Sequence, residues 1–307
     1  MATLIATLAL SAGPCLADST TLPPDAKRAM DMIYQGDPDA AIPIARGLEQ
    51  AEPENPAGFF VEAEADWWKM YCAACEIKWG MVDAWKRGKK PADDAYLALT
   101  DEVIHHAQAQ LAKSETAEMH VYAGVGWGLK TRLYALRGES RNVARAGVNA
   151  RAEMLRALQL DPQMADATTG VGLYNYYVDS LSPIVKMLRF FMGIPGGNKE
   201  EGIRQIRTGI EQGSILAVDA RFYLAKSLRT YDRQYEQALS LAEPLTARYP
   251  RNPLFLLLAG NLNAEMGRNA KAAEYFHAAL DSPPSDSACG ARIRDAANSL
   301  LAALHSQ

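Results

Sequence analysis

Residues 253–284 read PLFLLLAGNLNAEMGRNAKAAEYFHAALDSPP, and the small and aromatic residues in that stretch fall at fixed intervals. Counting Pro253 as position 1, Gly260, Gly267, Ala272, Phe276, Ala279 and Pro284 stand at positions 8, 15, 20, 24, 27 and 32. Each has a steric use. Gly260 and Ala272 let two helices approach closely, Phe276 fills the space between them, Gly267 supplies the turn, and Pro284 stops the second helix. Ala238 and Ala272 are 34 residues apart, and so are Pro250 and Pro284. A two-helix unit of that period cannot bury its apolar face alone, so it stacks on its neighbours.

The unit before it carries Leu224, Ala225, Tyr235, Ala238, Leu245 and Pro250, with one extra residue in the turn around Asp232 to Gln234. Upstream, Ala150 to Pro162 reads as another second helix, with Met154 and Ala157 on its apolar side. Gly172 follows where the next unit places its small packing residue. At the start of the chain Gly36, Ala41, Ala45, Leu48 and Pro53 fit positions 15, 20, 24, 27 and 32 of a first unit. Between Pro53 and Pro162 these landmarks fade. There, Pro56 to Trp85, Asp93 to Lys113, Glu115 to Arg137 and Arg141 to Leu160 show apolar recurrence at three and four, which predicts longer helices. No stretch sustains the alternation of a strand.

The spacing in residues 253–284, and its echoes upstream, closely resembles the tetratricopeptide repeat. That resemblance implies an all-α fold, a right-handed superhelical solenoid of antiparallel helix pairs. Divergent repeats are expected over 24–162, an insertion over 181–198, the clearest repeats over 217–284 and a capping helix over 288–304. It also implies an inner groove lined by positions 2, 5, 9 and 12 of each first helix. The partner-binding residues expected there are Asp166, Thr169, Tyr176, Asp219, Phe222, Lys226, Arg229 and Asn261. An aromatic surface with cationic and amide donors suits a peptide carboxylate or an acidic segment. Alanine at Lys226 and Arg229 is expected to weaken capture of a partner without lowering stability.

The insertion is the clear departure from the repeat: Gly172 to Gly202 spans 30 residues where the unit has 12. Its apolar positions Leu181, Ile184, Val185, Leu188, Phe191 and Met192 recur at helical spacing, with Lys186 and Arg189 off that face. Three placements are open: a plug in the groove, packing on the outer ridge, or peripheral contact with a membrane or partner.

The rest of the chain bounds the function. Forty-nine per cent apolar composition supports a large core, and a net charge of −4 without a basic tail argues against nucleic acid as partner. Residues 1–17, MATLIATLALSAGPCLA, carry no charged side chain and precede a polar start at Asp18, the pattern of a secretory signal peptide. The expected location is periplasmic or secreted, with a single body over 18–307. A lipid anchor at Cys15 is disfavoured by Pro14. Cys72 and Cys75 form Cys-Ala-Ala-Cys in a helical context, where a structural or disulfide role is favoured over redox catalysis, and Cys289 is expected to be unpaired.

No cofactor or metal is expected. Gly193 to Lys199 lacks the spacing of a phosphate loop, with Glu200 in place of the hydroxyl residue. His105, His106 and His120 offer no second ligand pair at helical spacing. The acids Glu62, Glu64 and Asp66 come with no base, nucleophile and orienting group to complete a catalytic set. The function expected is a non-catalytic protein- or peptide-binding scaffold at the bacterial cell envelope. The alternative is a small-ligand carrier or transport accessory whose groove is partly closed by residues 181–198, with enclosed apolar volume near Tyr176.

Overall fold

The computed structural model describes residues 22–74, 88–181, 186–187, 189–190, 193–282, 284 and 286–304, and no strand occurs among them. The leader stretch 1–17, Cys75, Trp79, Trp85 and the insertion residues Ile184, Val185, Leu188, Phe191 and Met192 lie outside the described residues. The helices run α1 (Pro24–Tyr34), α2 (Pro38–Ala51), α3 (Pro56–Ala74), α4 (Ala92–Lys113), α5 (Ala117–Leu136), α6 (Ser140–Leu160) and α7 (Ala165–Asp179). They continue as α8 (Lys199–Gln212), α9 (Ala217–Ser227), α10 (Tyr235–Arg248), α11 (Pro253–Glu265), α12 (Asn269–Leu280) and α13 (Ser287–Leu304).

Local chemistry sets the helix ends. Asn252 accepts from the backbone N–H groups of Leu254 and Phe255 at 3.0 and 3.2 Å, and Pro253 opens α11 with a φ already helical. Gly267 ends the same helix at φ +71°, a left-handed turn that Gly36 repeats after α1 at +90°. The extra residue near Asp232 has a structural outlet. Beyond α9 the chain widens into a π-helical turn, Leu228–Asp232, and Arg233 takes the left-handed position at φ 51°.

Pairing follows the small residues. Ala41, Ala238 and Ala272 are fully buried, and a Cβ on Gly260 would stand 2.5 Å from the Phe276 ring. The insertion does not break this rule. A Cβ on Gly202 would lie 2.7 Å from Gly172 O and from Tyr176 N, so α7 and α8 meet at the glycine pair despite the longer path between them. The insertion folds back on α7, with Lys186 paired to Asp179 at 2.7 Å and the Tyr174 hydroxyl donating to Pro195 O at 2.8 Å. Its Met187 and Phe190 are exposed.

Every helix packs on the next in sequence, and the odd-numbered ones also touch each other from α1 to α3, α5, α7 and α9 and from α11 to α13. The series then returns on itself, because α13 packs on α3. A disulfide joins Cys72 of α3 to Cys289 of α13, with Cα atoms 5.0 Å apart and a sequence separation of 217. Cys289 is therefore paired, contrary to the expectation from sequence. Near the same seam, Tyr249 donates its hydroxyl to Asp31 at 2.8 Å, and the Asn252 side-chain amide donates to Tyr34 O at 2.9 Å. Among the described residues no helix is long and apolar enough to cross a membrane.

Candidate functional site

α3 is enclosed over most of its length, with Asp66, Lys69 and Met70 among its few part-exposed residues. It carries Trp67, Trp68 and Tyr71, and these rings meet the exposed-groove positions predicted on α9. Phe222 packs against Trp68 and Tyr71 with ring centroids 5.2 and 5.8 Å away. Lys226 donates from Nζ to the Tyr71 hydroxyl at 2.7 Å. Asp219 accepts from the Tyr34 hydroxyl of α1 at 2.8 Å, and Trp67 Nε1 donates to the Tyr223 hydroxyl at 2.7 Å. The wall formed by α9 thus holds another part of its own chain.

The other predicted groove residues divide into separate groups. Asp166 accepts from the backbone N–H groups of Ser214, Ile215 and Leu216 and fixes the entry to α9. Thr169 donates to Ala165 O within α7. Tyr176 donates to Asp232 at 2.9 Å beside Lys199, which is also paired with Asp232. Arg229 bonds Asn261 and reaches Glu265 at 3.2 Å. All eight predicted residues are buried, Arg229 the least so at 7 % exposure. An open groove along them is not what the structure shows, and the expected neutrality of Lys226 and Arg229 substitutions fails with it. Each long cation is desolvated and bonded, so truncation would leave a buried partner unsatisfied.

At the centre lies a charged cluster that sequence reasoning did not assemble. Arg132 of α5 donates from Nη1 to Glu64 Oε1 at 2.7 Å, and its Nη2 lies 3.6 Å from Asp219 Oδ1. Its guanidinium also stacks over the Tyr223 ring at 5.0 Å. Burial pushes the Glu64 carboxyl above its usual range, Arg132 pulls it down, and the Asp219 charge pushes it up again. Burial likewise raises Asp219. Glu64 was legible only as one of three alternating acids; the available signal was that it lies off the helix face that Glu62 and Asp66 share at i,i+4. Glu62 is elsewhere, accepting from Arg46 Nη2 at 2.8 Å.

Neither remaining cluster forms a ligand set. His120 lies between Glu153 and Glu115, with ring nitrogens 2.6 and 3.2 Å from the two carboxylates, and Arg156 holds Glu115 from the other side. Among the described residues no group of three or more histidines, cysteines or carboxylates is arranged to hold a metal ion. A cavity of about 20 Å³, room for roughly one water, lies on the seam beside Trp68, Cys72 and Cys289. An open cleft of about 720 Å³ lies at the α2–α3 turn, lined by Glu54, Gln110, Thr116 and Met119. Tyr176 lines neither of these two. No protein-family model matches the chain.

Proposed function

We propose that the chain is a tetratricopeptide-type scaffold, a right-handed solenoid of helix pairs that binds protein or peptide without catalysis. The observation that carries the proposal is the contact of α9 with α3 and with Tyr34 of α1. Asp219, Phe222 and Lys226, the residues that a tetratricopeptide groove would turn toward its ligand, engage Tyr34, Trp68 and Tyr71 of the same chain. An aromatic helical segment is thus the chemistry this wall is built to accept, and the chain's own segment fills it. Residue spacing supports the same assignment through Gly260 with Phe276, and the close crossing at Gly172 and Gly202 keeps a helix pair there despite the longer interval.

Placement at the cell envelope, periplasmic or secreted, rests on the leader-like residues 1–17 and gains support from the Cys72–Cys289 bond, since such bonds persist in oxidising compartments. The exposed Met187 and Phe190 make the insertion a second partner-contact surface in this proposal.

The test compares two variants that break one hydrogen bond from opposite sides. Tyr71→Phe loosens the internal occupant and leaves the wall intact, whereas Lys226→Met damages the wall. Affinity capture from an envelope extract should recover more of a specific partner with Tyr71→Phe and less with Lys226→Met. Equal recovery by wild type and both variants would remove the α9 wall from partner recognition.

A further inference from the structure

We propose that the buried Glu64–Arg132–Asp219 cluster keeps one proton on its two carboxyl groups at neutral pH, and that losing this proton loosens α3 from the inner wall. The charge count points to it. Two carboxyl groups, both essentially without solvent exposure, share one guanidinium, so full ionisation leaves an uncompensated negative charge in the interior. The hydrogen bonding points the same way. Glu64 Oε2 and Asp219 Oδ1 are buried oxygens with no hydrogen-bond partner among the described residues, as expected where a carboxyl proton has been left unassigned.

Among the described residues no second positive charge is shown binding either carboxyl group. From α1, Tyr34 already gives its proton to Asp219 Oδ2. From α4, Tyr96 gives its proton to Leu129 O. From α7, Tyr177 is paired with Ser227, and on α9 the Tyr223 oxygen takes the Trp67 N–H. Lys226 on the same helix is directed to Tyr71, and Asp66 on α3 interacts with Lys69 and Arg46 instead. The proton is thus retained because burial and the repulsion between two carboxylates outweigh the one Arg132 charge that opposes it.

The sign of the pH effect follows. The Glu64 carboxyl is raised from 4.5 to about 8 in the folded chain, so the fold binds more protons than the unfolded chain between those values. Its stabilising contribution is complete below the ordinary glutamate range and is lost as pH rises through about 8. The repulsion that replaces it acts between α3 and α9, the two helices whose contact closes the inner wall.

The experiment is carbon-13 NMR of the full chain labelled at glutamate side-chain carboxyls, titrated in the Glu49→Gln background so that Glu49, raised to about 7 by burial, is silent. One glutamate should titrate above pH 7 and vanish from the spectrum in Glu64→Gln. In Asp219→Asn, which leaves Arg132 to a single carboxylate, that midpoint should fall by at least one unit. Amide exchange in α3 at pH 9, corrected for intrinsic base catalysis, should be roughly tenfold faster than in Glu64→Gln, the factor that one unit of pKa represents. If no glutamate titrates above pH 7, or if α3 exchange at pH 9 is the same in both proteins, the proposal is overturned. Should Glu64→Gln fail to fold, the high midpoint and its fall in Asp219→Asn still decide the question.

Discussion

Lys226 Nζ donates a hydrogen bond to the Tyr71 hydroxyl at 2.7 Å, joining α9 to α3 across 155 residues of chain. The ammonium also lies 4.9 Å from the Tyr71 ring centroid, so one cation meets both the oxygen and the ring. Lys226→Met keeps most of the side-chain volume and removes the donor. It should destabilise the protein by about 1–3 kcal/mol, the range for a lost charge-assisted bond in a buried setting. A urea midpoint that does not move would show the bond to be energetically idle.

The glycine pair at the α7–α8 crossing makes a contrasting prediction. Gly202→Ala pushes a methyl group into Gly172 O and Tyr176 N, both backbone, at 2.7 Å, and overpacking of this kind costs about 1–3 kcal/mol. Gly128 lies within α5 with nothing inside 4 Å of its absent Cβ. Gly128→Ala should therefore stabilise, by about 0.5–1 kcal/mol, because alanine restricts the unfolded chain. Thermal melts of the two variants should move in opposite directions.

Arg233 occupies a left-handed conformation, φ 51°, that glycine adopts without steric penalty. Arg233→Gly should raise stability by about 0.5–1 kcal/mol, because a left-handed penalty of about 1–2 kcal/mol exceeds the added freedom of the unfolded chain. A lower melting temperature would show that the arginine side chain contributes more than its backbone loses.

Much of the helical plan was legible because it depends on neighbours close in sequence. The helices at 92–113, 117–136 and 140–160 lie close to the bounds set by apolar recurrence, and the packing of Phe276 on Gly260 follows from a fixed interval. The seam was not legible. Cys289 finds Cys72 only because α13 returns to α3, a contact that no local period encodes. The inner wall failed for the same reason. A repeat register tells which way Phe222 and Lys226 point, but whether they meet water or Tyr71 depends on a helix some 155 residues earlier. Glu64 was visible as an acid, while its partner Arg132 lies 68 residues away on another helix.

Closure of the chain on itself is the claim on which the self-occupied wall depends, and the Cys72–Cys289 bond is its most direct chemical record. Proteolysis of the protein under non-reducing conditions, with free thiols blocked beforehand, should release a single cross-linked peptide pair carrying Cys72 and Cys289 by mass spectrometry. A peptide with Cys72 bonded to Cys75, or Cys72 and Cys289 both recovered as blocked thiols, would contradict it.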